Sequence, residues 1–172
     1  TLTGHAVDPA GDPLTYSWGV DGTIVEGDVV PYTFYDDGTF EVTLTVTDDA
    51  GRTAVGTLYV PVANADPVID DVTLTDPYEN TPVTLIALVH DPGWEDYLSY
   101  TWLLPDGTAG TSPVITTTFV DDGVYPVTLS VTDDDGGFVT EIVQVTIENL
   151  DPSVVDPSFG GVLEEGGVVT FH

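Results

Sequence analysis

An all-β fold, built as tandem antiparallel β-sandwiches, is predicted by three features of this chain. The first is a long internal repeat: YDDGTFEVTLTVTDDAG at residues 35–51 returns as VDDGVYPVTLSVTDDDG at 120–136, an offset of 85 residues (Asp36 to Asp121, Asp48 to Asp133). The second is period-two alternation of Val, Thr and Leu, interrupted by Asp-Gly strings and free of any helical period. The third is a recurring tryptophan, Trp18 and then Trp102, set inside such an alternating run. A large aromatic in that setting is a core residue under a small sandwich. A period this long makes each repeat one small β-domain.

The second repeat shows the strand order most completely. Alternating runs at Val68–Thr75 and 83–90 are followed by 98–104, which carries Trp102. Pro105-Asp106-Gly107 then predicts a turn, 114–119 a strand, and Asp121-Asp122-Gly123 another turn. Runs at 124–132 and Phe138–Ile147 close the unit as a hairpin around 133–137. Some seven short strands with regular turn signals describe a sandwich of the immunoglobulin type.

The strings Asn64-Ala65-Asp66-Pro67 and Asn149-Leu150-Asp151-Pro152, again 85 apart, mark the unit boundaries. They divide the chain into a first repeat at 1–63, a complete second at 64–148, and the opening of a third at 149–172. Proline restricts each linker, so neighbouring units are expected in a semi-rigid line. Thr1 falls inside what should be the second strand of the first repeat. The tail offers the converse, a first strand around 153–156 and the start of a second at 168–171. The two ends are therefore complementary. Either the chain is a window on a longer array, or the tail of one copy completes the head of the next by strand addition, a head-to-tail contact that grows a filament.

Composition narrows the function. The 172 residues carry one Lys or Arg (Arg52) against 30 Asp and Glu, a formal net charge of −29. Nucleic-acid phosphates are excluded as partners, because almost no positive charge is present to displace counterions. No apolar run approaches a membrane span, and no basic-apolar signal segment opens the sequence. Without cysteine there is neither a disulfide staple nor thiol chemistry, and without lysine no Schiff base. A hydrophobic content of 41% separates the chain from disordered acidic tails. Self-repulsion at this charge opposes compaction, so bound cations or a salty medium should stabilise the fold. An acidic surface that serves only solubility, or life in high salt, is the competing reading.

The strings DPAGDPLTYSW (8–18), YDDGTFEVTLTVTDDAG (35–51), VDDGVYPVTLSVTDDDGG (120–137) and, more loosely, DPGWEDYLSYTW (91–102) resemble the PKD domain, an immunoglobulin-like module of extracellular proteins. The resemblance implies an extracellular or cell-surface setting and a role in spacing or adhesion. The chain departs from it after each tryptophan. A WDFGDG-like turn is usual in the family, but here the sequence runs Trp18-Gly19-Val20-Asp21-Gly22 and Trp102-Leu103-Leu104-Pro105-Asp106-Gly107. The sixth strand opens on Tyr125 in the second repeat but on Phe40 in the first, so a corner hydrogen bond is available only to the second.

Carboxylates gather at one predicted pole of each unit. The loop after the second strand brings Asp8 and Asp12, or Asp91, Glu95 and Asp96; the end of the sixth strand brings Asp48 and Asp49, or Asp133, Asp134 and Asp135. The linker pairs Asn64 with Asp66, and Asn149 with Asp151, should arrive at the same pole of the unit each introduces. Calcium takes about six to eight oxygen ligands, and these loops offer no nitrogen or sulfur competitor. Calcium-binding PKD-like modules of secreted hydrolases resemble the arrangement, with ligands in the linker and the loop after the second strand. The alternative is that Asp, Gly and Pro are here simply as turn formers.

Catalysis is not expected. The paired acids are turn elements of both repeats, and so small a sandwich has little room for a glycosidase cleft. His5, His90 and His172 share no repeat position, and no serine lies in a GxSxG string. The favoured function is an extracellular structural or adhesive array, a calcium-stiffened stalk or head-to-tail filament component, whose partners are neighbouring repeats or copies. An accessory polysaccharide-binding module of a secreted hydrolase is the alternative, with Trp94, Tyr97, Tyr59 and Tyr78 as candidate glycan contacts. Trp94 occupies a loop where the first repeat has Ala10-Gly11, and packs on a neighbouring domain or on a sugar ring, or else covers its own loop.

Overall fold

A computed structural model describes residues 1–153 and Glu165. Thirteen strands and no helix occur among the described residues. In the first unit these are β1 (Leu2–Thr3), β2 (Leu14–Val20), β3 (Thr23–Glu26), β4 (Val29–Val30), β5 (Gly38–Asp48) and β6 (Thr53–Val62). The second unit contains β7 (Val68–Thr75), β8 (Pro82–His90), β9 (Ser99–Leu103), β10 (Ala109–Gly110), β11 (Val114–Thr118), β12 (Gly123–Thr132) and β13 (Phe138–Ile147).

The second unit is a sandwich of two antiparallel sheets, ordered β10-β9-β12-β13 and β11-β8-β7. Period-two alternation drives its assembly, because successive side chains point to opposite faces. Thus β12 buries Val127, Leu129 and Val131, and β8 buries Val83, Leu85 and Ala87 from the opposite sheet. Trp102 on β9 lies fully inside this core, and its indole Nε1 donates to the Ser112 carbonyl at 2.9 Å. That bond satisfies the one polar atom on an otherwise apolar side chain.

The first unit repeats the plan. Its sheet β3-β2-β5-β6 packs over a core of Leu2, Trp18, Val20, Val30 and Val42, and Trp18 Nε1 donates to the Gly27 carbonyl at 3.0 Å. Beyond Trp18 the chain turns through Asp21 (φ 46°) and Gly22 (φ 72°), two left-handed residues in a two-residue hairpin loop. That geometry matches the twist of flanking strands and selects Asp-Gly. The second unit spends Pro105-Asp106-Gly107 on a wider turn, in which Asp106 accepts from Thr108 N at 2.8 Å.

The expected strands recur with small changes at their ends. The short β10, paired to Leu103 and Trp102, was not foreseen; two residues, Ala and Gly, carry no readable alternation. Tyr125 makes the expected corner bond, its hydroxyl donating to the Asp121 carbonyl at 2.9 Å. In the first unit Phe40 keeps only the packing. Its ring lies 4.7 Å from Phe34 at 41°, the same geometry as Tyr125 on Phe119. The first unit begins in the counterpart of β8, where β1 pairs with β4. Apart from Ser153, the strands expected around 153–156 and 168–171 lie outside the described residues, as does the proposed completion of one copy by the tail of another.

Candidate metal centre at the joint between units

Asp133 ends the run of β12 and is the one buried charged residue among those described, 7% exposed. Its carboxylate is caged. Oδ1 accepts from Asp135 N at 3.0 Å and Gly137 N at 2.7 Å, while Oδ2 accepts from the amide Nδ2 of Asn64 at 2.8 Å. These donors hold the carboxyl below the usual carboxylate range, the Asn64 bond foremost. Asp66 of the same linker accepts from Phe138 N at 3.2 Å, so both polar linker residues are pinned to the β12–β13 turn. Gly137 permits this approach. A Cβ there would stand 2.2 Å from Asp133 Oδ2, 2.7 Å from Asn64 Nδ2 and 3.0 Å from Asp66 Oδ1.

The loop between β8 and β9 brings Asp91 and Asp96 to the same place. Carboxylate oxygens of Asp91, Asp96 and Asp133 all lie within 4.8 Å of one another. Asp91 Oδ1 accepts from Gly93 N at 2.8 Å, but Asp91 Oδ2 and Asp96 Oδ1 are buried with no hydrogen-bond partner. Orphaned buried oxygens beside a third carboxylate carry a large desolvation cost unless a cation or proton joins them. Burial, then the charges of Asp91, Asp36, Asp135 and Asp133, push the Asp96 carboxyl up to about 6.

Asp36 and Asp37 come from the turn before β5, in the first unit. They form an oxygen group with Asp135, within 4.8 Å, and Asp96, Asp134 and Asp135 form another. Asp134 also accepts from Tyr97 N at 2.8 Å. Burial and the charges of Asp37, Asp134, Asp36 and Asp133 raise the Asp135 carboxyl. One open hollow between the units is lined by Asp36, Asp37, Trp94, Asp96, Tyr97 and Asp135. Trp94, 67% exposed, meets Tyr35 of the first unit edge-on, ring centroids 5.5 Å apart at 87°. It therefore packs on the neighbouring unit, not only on its own loop. Sequence reasoning treated Asp36-Asp37-Gly38 as a turn alone and missed its place at the joint. The available signal was the linker itself: it delivers the pole of the second unit to the far end of the first.

The other expected ligands divide. Asp8, Asp12, Asp48 and Asp49 form no three-acid group among the described residues. Asp8 Oδ1 closes its own loop on Ala10 N (2.7 Å) and Asp12 N (3.3 Å), Asp48 is held by Arg52, and Asp49 is exposed. Asn149 and Asp151 are exposed at the end of the second unit, where Leu150 N donates to Glu79 Oε1 at 3.0 Å. Glu79 gathers with Asp121 and Asp122, the counterparts of Asp36 and Asp37. Tyr59 lies on β6 and Tyr78 between β7 and β8, so the four candidate glycan aromatics occupy three separate segments.

Two sandwiches in tandem, joined through the Asn64-Ala65-Asp66-Pro67 linker, define a modular β-sandwich repeat protein. A family model described as PKD domain matches residues 1–62 and again 64–147, and the chain belongs to that family. Among solved structures, the PKD1 domain of Vibrio anguillarum Epp is similar at 27% identity and a TM-score of 0.40, over 50% of this chain and 100% of that one. Fibronectin(III)-like modules of Clostridium thermocellum CbhA are similar at 17% identity and a TM-score of 0.39, over 87% of each chain. An amphioxus IgVJ-C2 molecule is similar at 17% identity and a TM-score of 0.44, over 78% of this chain and 88% of that one. No curated protein matches.

Proposed function

We propose that the chain is a non-catalytic segment of an extracellular tandem array, a connector whose joint is stiffened by calcium. The observation that supports this most is the pair of orphaned buried oxygens, Asp91 Oδ2 and Asp96 Oδ1, beside Asp133. The residues suit the ion. Asp91, Asp96, Asp133 and the linker residues Asn64 and Asp66 supply hard oxygen donors, and the chain holds no cysteine. Asn64 carries an amide oxygen as well as the nitrogen now bonded to Asp133, so a turn of its amide exchanges donor for ligand.

A dication there offsets the mutual repulsion of Asp91, Asp96 and Asp133, and draws the linker onto the unit it introduces. With Asp36 and Asp37 of the preceding unit facing Asp135, the same neutralisation lets the two units approach. The connector then behaves as a rod at calcium levels of about 0.1–1 mM, the range of extracellular modules. Its partners are neighbouring repeats of its own kind, head to tail.

The test is a melt. Protein stripped with chelator should unfold at a lower temperature than protein with millimolar calcium at equal ionic strength, since a ligand that binds only the folded state stabilises it. The variant Asp133→Asn, which keeps the backbone cage but loses the charge, should melt alike in both. Equal midpoints for the unaltered protein would refute the calcium reading.

A further inference from the structure

The single Lys or Arg of this chain, Arg52, is bonded to the carboxylate of Asp48. Asp48 and Asp133 are repeat counterparts, 85 residues apart, and their carboxylates sit in matching cages. Asp48 Oδ1 accepts from Ala50 N at 3.0 Å and Arg52 N at 2.8 Å; Asp133 Oδ1 accepts from Asp135 N at 3.0 Å and Gly137 N at 2.7 Å. The difference lies at the second oxygen. Asp133 Oδ2 takes Nδ2 of the linker Asn64 at 2.8 Å, whereas Asp48 Oδ2 takes Nε of Arg52 at 2.7 Å.

Arg52 and Gly137 occupy the same repeat position. At Gly137 a side chain would collide with Asp133, Asn64 and Asp66, so glycine is what admits the linker. At Arg52 the side chain itself answers the carboxylate. The Asp48 side chain is 7% exposed and that of Arg52 72%, so the guanidinium caps a nearly buried charge from the solvent side. Arg52, Asp48 and Asp8 line one hollow, and among the described residues no three-acid group forms there. An always-protonated guanidinium is a fixed cation, indifferent to metal supply.

We propose that Arg52 is a built-in cation standing in for the metal at the pole of the first unit, so the residue at this one position decides whether a unit is metal-dependent. Glycine admits the linker and completes an oxygen cage; arginine closes the cage with its own charge. The assignment rests on the calcium reading of the second unit, and it predicts fewer calcium ions than units along the array.

The experiment is a calcium titration of the full chain followed by backbone amide NMR, with the two cages as internal controls. In the unaltered protein the Asp135 and Gly137 amides should shift saturably, while those of Ala50 and Arg52 stay put. In Arg52→Gly the Ala50 amide should become calcium-responsive, with an affinity at least about tenfold weaker than that of the second unit, because Asp8, Asp12 and Asp48 converge less closely. Asp133→Asn should abolish only the second-unit response. Saturable shifts at Ala50 in the unaltered protein, or a silent first cage in Arg52→Gly, overturn the proposal. If Asp135 and Gly137 fail to respond in the unaltered protein, the calcium reading falls and takes this assignment with it; if they respond while the first cage of Arg52→Gly stays silent, only this assignment falls.

Discussion

Asp96 is the residue whose chemistry responds most to its surroundings. Its carboxyl rises from 3.8 to about 6 in the fold, so without metal the folded state holds a proton that the unfolded chain releases. The sign follows from linkage. The group's stabilisation is fully present below pH 3.8 and lost as pH rises through about 6. Chelated protein should therefore gain stability from Asp96 on mild acidification, while calcium affinity falls over the same window because proton and ion compete. A pH series of chelated melts and calcium titrations checks both; pH-independent affinity between about 5 and 7 would contradict the shared site. Asp48 and Asp133 behave oppositely. Their lowered values give stability present above the ordinary carboxylate range and lost as pH falls below it. Tyr125→Phe should cost about 1 kcal/mol, the worth of one hydrogen bond, read as a lower denaturation midpoint. The linker and loop acids were legible in the sequence because the repeat placed them twice. Asp36 and Asp37 were not, because turn propensity alone accounts for an Asp-Asp-Gly string.

At the scale of elements, the alternating runs specify the strands so strongly that Val68–Thr75 and Phe138–Ile147 have the bounds expected of them. What alternation does not carry is β10, whose two residues pair with Leu103 and Trp102 only because the turn at Asp106 and Gly107 folds them back. Trp102 ties the sheets together, and Trp102→Ala should cost about 3–5 kcal/mol, enough to unfold a domain of this size at moderate temperature. Circular dichroism of the variant checks this. The β12–β13 turn is the element on which structure and site coincide. Its backbone amides cage Asp133, so Gly137→Ala should push the linker away and weaken calcium binding about tenfold or more without altering the strand pairing. Titration calorimetry on that variant measures the change.

Over the whole molecule, a net charge of −29 is distributed so that carboxylates face each other where units meet. Repulsion there opposes close approach of the units unless cations screen it, and the Trp94–Tyr35 contact is one apolar part of the acidic interface. The tandem plan was readable from the repeat, the family from the resemblance of its strings, and the linker acids were expected at the joint, but the part that Asp36 and Asp37 of the first unit play there was not. It depends on how two units face each other, which no periodicity within either unit encodes. The central claim concerns that joint, and small-angle scattering of the chain in chelator and in millimolar calcium, at equal ionic strength, tests it most directly. The account predicts a narrower distribution of interatomic distances with calcium, and no such change in Asp133→Asn. Identical profiles in calcium and chelator would contradict it.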